Sequence, residues 1–151
     1  MRFPLFASAL FAATSAACGG NGLLSPPPGL PHAAAAAACA PTDGPAVTVY
    51  LSASAISSPN PAPPNVQLSI WRSADQLTGT WSLAASRAQG AAVRIGPAGE
   101  FVDSAARGSI TVLAVSADLT VVGHLDVTFA SGTRIQGGFT APWIVRTVVC
   151  G

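Results

Sequence analysis

The chain has 151 residues, a length that suits a single domain. Only 9% of its residues are charged and the formal net charge is +1, so neither nucleic acid nor an acidic partner is indicated. Half of the residues are hydrophobic, and valine, leucine, isoleucine and aromatic residues recur in regular patterns, which excludes a wholly disordered chain.

Residues 1–17 have the features of a signal peptide. Arg2 supplies a short positive region, and the apolar run over 3–13 is too short to span a bilayer. Small residues at 15–17 then precede Cys18, an arrangement that resembles the lipobox of bacterial lipoproteins. The resemblance implies that Cys18 carries the lipid and that the peptide before it is removed. An ordinary signal-peptide cleavage that leaves Cys18 as a plain cysteine is the alternative.

The residue after the modified cysteine bears on location. By the same resemblance, Gly19 rather than aspartate at this position favours the outer membrane over retention in the inner one. The expected location is therefore the bacterial cell envelope, with the lipid as the contact to the membrane.

Residues 18–44 are predicted to be a disordered tether. They contain GGNG, SPPPGLP and six alanines over 33–38, a composition that buries little apolar surface and extends where proline is frequent. The alanine run would form at most a short helix, which is marginal in water. His32 beside it is expected to be solvated.

Residues 45–151 are predicted to form a β domain. Apolar and polar residues alternate over 47–55, 66–71 and 121–129, the period of strands with one buried face. Further strands are predicted over 80–85, 91–95, 100–103, 109–115 and 143–149, and no helix is convincing. Seven to nine short strands favour an antiparallel β-sandwich, with a small β-barrel as the alternative.

The apolar pattern also predicts the register of the hairpin whose first strand is 121–129 and whose second strand contains Ile135 and Phe139. Val121, Gly123, Leu125, Val127 and Phe129 share the apolar side, which Ile135 and Phe139 continue after the turn. A loop of three or five residues sets Phe129 against Ile135 and keeps apolar residues opposite apolar residues.

Two cysteines remain if Cys18 carries lipid. Cys39 lies just before the predicted domain and Cys150 lies at its end. Export makes oxidation feasible, so a Cys39–Cys150 disulfide is predicted, with two free thiols as the alternative.

No residue pattern predicts catalysis. His124 and Asp126 share one strand face, but a metal site needs three or four ligands and Asp118 is the only other acid close in sequence. Glu100, Asp103 and Asp126 could supply a pair of catalytic carboxylates, although their spacing selects none of them. No nucleophile, zinc or phosphate-loop motif is present. Catalytic residues, metals and cofactors are therefore not predicted, and a hydrolase is the least favoured function.

Tyr50 and Trp71 are the candidate binding residues. Both lie on the polar faces of predicted strands, and a register that pairs Leu51 with Ile70 sets the two rings directly opposite each other. Such a pair either stabilises the sheet or forms a stacking platform for sugar rings, with Gln67 and Ser69 as hydrogen-bonding partners. Registers shifted by two residues are equally compatible with the pattern.

The end of the chain carries a second resemblance. Residues 124–150 contain Gly137-x-Phe139-x-Ala141 in a closing hairpin, followed by Cys150, and this looks like the C-terminus of small bacterial lipoproteins. The two resemblances cover only the ends of the chain and imply no activity. The predicted function is a lipid-anchored envelope protein whose β domain has a non-enzymatic structural or interaction role. The alternative is a module that binds glycan or peptidoglycan through exposed aromatics, so the expected partners are a cell-wall glycan or another envelope protein.

Overall fold

The structure is a computed structural model that describes residues 25–83, 87–96 and 98–150. The predicted signal peptide and Cys18 lie outside the described residues. The strands are β1 His32–Cys39, β2 Pro45–Ser52, β3 Asn65–Ile70, β4 Gly79–Ser82, β5 Ala88–Gly96, β6 Gly99–Val115, β7 Val121–Phe129, β8 Arg134–Ala141 and β9 Trp143–Ile144. Within the described residues, the only helical element is a 3-10 turn at Ala74–Gln76.

The strands form one strongly curled sheet, a half-barrel. Its order is β8-β7-β6-β5-β3-β2-β1-β9, with β4 beside β6. The first part of the 17-residue β6 pairs with β5, and the later part pairs with β7 and β4. The prediction of an all-β fold with seven to nine strands is confirmed. β6 runs without interruption from the part that pairs with β5 into the part that pairs with β7 and β4. The predicted strands at 100–103 and 109–115 are therefore two parts of one strand, β6, in a single curled sheet.

The predicted buried face of β7 is confirmed. Side chains along β7 alternate between buried and half-buried over its whole length. The largest fully buried side chains of the described residues come from four strands and one loop: Phe129, Leu51, Leu68, Ile70, Leu77, Ile110 and Leu125. Each such side chain stabilises the fold by about 1.5–3 kcal/mol relative to an exposed one, so this inner face supplies the main driving force for folding.

The register of the β7–β8 hairpin differs from the prediction. Ile135 pairs with Val127 instead of Phe129, and the amide of Phe129 donates to the carbonyl of Thr133 at 2.8 Å. The shift is two residues, so Ile135 keeps an apolar partner on the same face. A shift of two residues keeps every side chain on the same face of the sheet, so the apolar pattern alone cannot distinguish registers that differ by two residues.

The alanine run is a strand, which corrects the prediction of a tether over this part of the chain. All eight residues of β1 pair with β2, and β9 pairs with its middle on the other edge. Ala34, Ala35 and Ala36 are buried, so methyl groups on both faces of β1 lie inside the protein. Alanine has a weak preference for strands, but pairing on both edges and burial on both faces outweigh it.

The segment before β1 is also part of the fold. We call residues 25–31 the seam segment, because they lie along the free edge of β8 and lead into β1. The amide of Gly138 donates to the carbonyl of Ser25 at 2.7 Å, and Leu30 belongs to the hydrophobic core with 7% of its surface exposed. The folded domain therefore includes residues from Ser25 onward rather than from residue 45.

The close approach of the seam segment to β8 requires glycine at position 137. A Cβ atom there would lie 2.7 Å from the backbone nitrogen of Pro27 and 2.8 Å from the carbonyl oxygen of Ser25. Those distances are shorter than real Cβ contacts, and both neighbours are backbone atoms that cannot rotate away. Gly137 thus allows the proline-rich seam segment to rest against the sheet.

Candidate functional site

Cys39 and Cys150 form a disulfide, as predicted. Their Cα atoms are 5.5 Å apart, and the bond closes a loop with a sequence separation of 111. Cys39 is the last residue of β1, and the predicted strand over 143–149 pairs only through Trp143 and Ile144. Residues 145–150, which we call the tail, are therefore held beside β1 by the disulfide rather than by a ladder of backbone hydrogen bonds.

The predicted pairing of Tyr50 with Trp71 is wrong. Tyr50 pairs with Gln67, and Leu51 pairs with Val66 instead of Ile70. Ile70 pairs with Val47, so Trp71, the residue after β3, lies near the opposite end of β2. The register is shifted by four residues from the one that brings the two rings together. An even shift keeps every apolar residue on the same face, which is why the sequence pattern also allows the observed register.

Tyr50 is buried and cannot stack on a sugar in solution. Only 4% of its surface is exposed, and Ala34 of β1 pairs with it on the other side. Burial raises the pKa of the Tyr50 phenol, while the charge of Arg146 and a hydrogen bond with Thr48 act in the opposite direction. Thr48 and Ser69 add a hydroxyl–hydroxyl hydrogen bond of 2.8 Å on the same face. The side chains on the polar face of β2 are therefore buried as well, and this face lies near the tail, which carries Arg146.

Trp71 is half-buried and lines a cleft. We call this the Trp71 cleft, with a volume of about 400 Å³, formed by the β1–β2 turn on one side and the residues after β3 on the other. Its lining residues are Ala40, Thr42, Gly44, Pro45, Trp71, Arg72, Ser73, Gln76 and Arg87. Two arginines and no acidic residue line it, and its volume falls within the range of about 300–1,000 Å³ that is typical of ligand sites.

The two arginines of the Trp71 cleft differ in how firmly they are held. The guanidinium of Arg72 lies 5.5 Å from the ring centre of Trp81 and donates at 2.9 Å to the carbonyl of Trp71. Arg87 is exposed, and its backbone carbonyl accepts from the amide of Trp71 at 2.9 Å. Within the described residues neither guanidinium forms an ion pair. The indole Nε1 of Trp71 is buried and has no hydrogen-bond partner there.

A second cleft, which we call the His124 cleft, lies between the seam segment and the outer face of the sheet. It has a volume of about 440 Å³ and is lined by Ser25, Pro26, Pro28, Ser109, His124, Leu125, Asp126, Gln136 and Gly137. Nδ1 of His124 is buried and unpartnered among the described residues. Arg134 donates to both carboxylate oxygens of Asp126, at 2.7 and 2.6 Å, and thereby lowers the pKa of Asp126.

The three acids considered beside Asp126 do not assemble into a catalytic or metal site. Asp118 lies in the β6–β7 turn, where hydrogen bonds from Ser116 and Thr120 lower the pKa of its carboxyl. Glu100 is exposed on β6, and Asp126 pairs with Ser109, nine residues further along that strand, which is roughly 30 Å. Among residues 25–83, 87–96 and 98–150, no three histidine, cysteine or acidic side chains lie close enough to hold one metal ion.

Asp103 is a structural acid. Its buried carboxylate accepts hydrogen bonds from the Ser131 amide at 3.1 Å and from the Ser131 hydroxyl at 2.6 Å. The guanidinium of Arg94 lies 4.0 Å away. The Ser131 hydroxyl contributes most to lowering the pKa of Asp103, with the Ser131 amide and Arg94 as smaller causes. Asp103 therefore ties the β7–β8 turn to β6.

Asp103→Asn should lower the free energy of unfolding at neutral pH by about 1.5–3 kcal/mol, the range for hydrogen bonds to a charged group. Because folding lowers the pKa of Asp103, its carboxylate stabilises the fold above its ordinary pKa of 3.8, and this contribution disappears as the pH falls through the folded-state pKa. Urea denaturation should show the gap between wild type and variant shrinking in acid. Asp75→Asn, at an exposed acid in the 3-10 turn, is the control and should change little. A gap independent of pH would contradict the assigned role.

Comparison of the chain with protein-family models, with curated proteins and with solved structures returned no match. No helix in the described part of the chain is long and apolar enough to cross a bilayer. Arg72 and Arg87 were not predicted as candidates, because they lie outside the alternating patterns of the strands. The adjacent Trp71-Arg72 pair was the available signal. The features of the molecule that bear on its function are therefore the two clefts, the disulfide and the position of the seam segment.

Proposed function

We propose that the protein is a lipid-anchored component of a bacterial cell envelope whose β domain binds a partner without catalysing a reaction. The Cys39–Cys150 disulfide is the observation that supports export of the protein, since disulfides persist in oxidising compartments. The lipobox-like residues before Cys18 support a lipid anchor, and Gly19 supports the outer membrane as its location.

The position of the seam segment limits how far the domain extends from the membrane. The Ser25 carbonyl accepts a hydrogen bond from β8, and Ser25 lies seven positions after Cys18. Seven residues reach at most about 25 Å even when fully extended. A flexible linker running to residue 44 would reach several times further. The domain is thus held close to the membrane surface, with the Ser25 end nearest to the lipid.

The described acids support a binding role over a catalytic one. Asp126 is bound by Arg134, Asp103 by Ser131, and Asp118 by its own turn. Each of these three carboxylates stabilises the fold through a partner of its own. A domain that binds another envelope component needs no catalytic carboxylate.

Changing Cys18→Ser should abolish lipid attachment and move the protein from the detergent phase to the aqueous phase when cells are fractionated with a phase-separating detergent. Acyl chains contribute about 0.8 kcal/mol per buried methylene, so their loss removes the membrane affinity. Labelling with a radioactive fatty acid should disappear in the same variant. Cys39→Ser is the matched control, because it removes a cysteine from the disulfide and should keep both the label and the detergent partitioning. Detergent partitioning of the Cys18→Ser variant would show that the anchor lies elsewhere.

A further inference from the structure

We propose that the Trp71 cleft binds an acidic saccharide, with a carboxylate on the two arginines and a sugar ring beside the indole. The inference rests on the proposed function for its biological setting, whereas the binding chemistry rests on the cleft alone. No hydrogen bond or ion pair of the described residues uses the Arg87 guanidinium, and no acidic residue lines the cleft to neutralise either arginine.

The arginines define the charge of the ligand. A guanidinium binds a carboxylate through two parallel N–H···O hydrogen bonds, which are stronger than bonds between neutral groups. Arg72 is already positioned by Trp81 and by the carbonyl of Trp71, so it loses little side-chain entropy when an anion binds. Arg87 is exposed and can close over the bound group. The lining residues therefore favour an anion over a neutral or cationic ligand.

The remaining lining residues define the rest of the ligand. Trp71 contributes a half-buried indole, an apolar surface against which the C–H face of a sugar ring packs. Gln76, Ser73 and Thr42 add an amide and two hydroxyls, which donate to and accept from sugar hydroxyls. The buried Nε1–H of Trp71 lacks an acceptor, and a ligand oxygen reached by a small side-chain shift would satisfy it.

The place of the cleft in the fold favours an envelope polymer over the lipid of the anchoring membrane. The cleft lies at the Pro45 end of β2, and the seam segment leads into β1 at the Ser52 end. The eight residues of β2 separate these ends by about 25 Å. Since the anchor is attached to the seam segment, the cleft is at the end remote from the membrane.

The disulfide fixes one wall of the cleft. Ala40 and the β1–β2 turn follow Cys39 directly, and the turn is closed by a 2.8 Å hydrogen bond from the Ala40 amide to the Gly44 carbonyl. Binding is therefore expected to require the oxidised protein.

The test uses the full chain purified from membranes in detergent and titrated by isothermal calorimetry with three probes. We expect the trimer of galacturonic acid to bind and the neutral galactose trimer to bind at least about ten-fold more weakly, since hydrogen bonds between a guanidinium and a carboxylate are stronger than those between neutral groups. Citrate should also bind more weakly, because it has carboxylates but no sugar ring. Raising the salt to about 1 M should weaken binding of the acidic trimer.

Variants assign the binding to the cleft. Arg87→Gln should weaken binding of the acidic trimer by about ten-fold, and Trp71→Leu by about three- to ten-fold, while Arg107→Gln, at an exposed arginine outside the Trp71 cleft, should leave it unchanged. Thermal denaturation confirms that each variant is folded. Absence of binding by the acidic trimer, or equal binding by Arg87→Gln, overturns the proposal. Equal binding of citrate and the trimer shows a general anion site and overturns the saccharide part. None of these results depends on lipid attachment, which the Cys18→Ser experiment tests separately.

Discussion

Cys150→Ala should lower the free energy of unfolding by about 4–5 kcal/mol. The bond closes a loop of 111 residues, and the entropy that such a cross-link removes from the unfolded chain corresponds to this range. The tail offers little else to hold it, because Val145 and Val149 are 91% and 86% exposed and β9 has only two residues. Urea denaturation of the oxidised wild type and the variant measures the difference.

The same variant should change the titration of Tyr50, the only tyrosine of the chain. Burial raises the pKa of Tyr50 more than Arg146 and Thr48 lower it. Release of the tail should move the Arg146 charge away from the phenol, and that charge lowers the pKa of Tyr50 in the folded protein. Because losing a nearby positive charge favours the neutral phenol, the pKa of Tyr50 should rise further in the variant, as ultraviolet difference absorption at high pH would record.

Cys39→Ala provides the control for the disulfide. It should destabilise the protein as much as Cys150→Ala does, and the double variant should be no less stable than either single variant, since both remove one bond. Reduction of the wild type should reproduce the loss. Additive losses in the double variant would mean that the cysteines stabilise the fold through separate contacts.

The strands and the inward face of β7 could be predicted because their residues alternate. Val121 to Phe129 alternate without interruption, and no helical face contains the same set of apolar residues. The Cys39–Cys150 pairing could be predicted because two cysteines remain once Cys18 is assigned to the lipid, and because the chain is predicted to be exported. These inferences depend on local pattern or on simple elimination, so no knowledge of tertiary contacts was needed.

Contacts between strands decide the features that the sequence did not predict. Tyr50 lies opposite Gln67 rather than Trp71, because registers that differ by an even number of residues keep the same faces together. The alanines of β1 all have the same side chain, so they show no period from which a strand or its facing could be inferred. Their strand forms because β2 and β9 offer partners on both edges.

The Trp71 cleft depends on the same kind of information. Arg87 joins Trp71 through a backbone hydrogen bond across 16 positions of the chain, and the β1–β2 turn closes the other side. The sequence identified Trp71 as a candidate from its polar strand face. The residues that join Trp71 and Arg72 in the cleft from other connections could be found only from the fold.

Leu30→Ala should lower the free energy of unfolding by about 2–5 kcal/mol, the usual range for removing a buried leucine side chain. Leu30 lies in the core with 7% of its surface exposed, and the hydrogen bond from its amide to the Pro27 carbonyl, at 3.0 Å, holds the seam segment in a turn. If residues 18–44 were a disordered tether, the same change would have no measurable effect. Leu113→Ala is the control, because Leu113 is 50% exposed on β6 and its loss should cost less than about 1 kcal/mol. Urea denaturation of both variants, with limited proteolysis to detect release of the seam segment, separates the two interpretations. Equal stability of Leu30→Ala and wild type would show that the seam segment does not pack in solution. The domain would then begin later, and the limit of about 25 Å on its distance from the membrane would no longer hold.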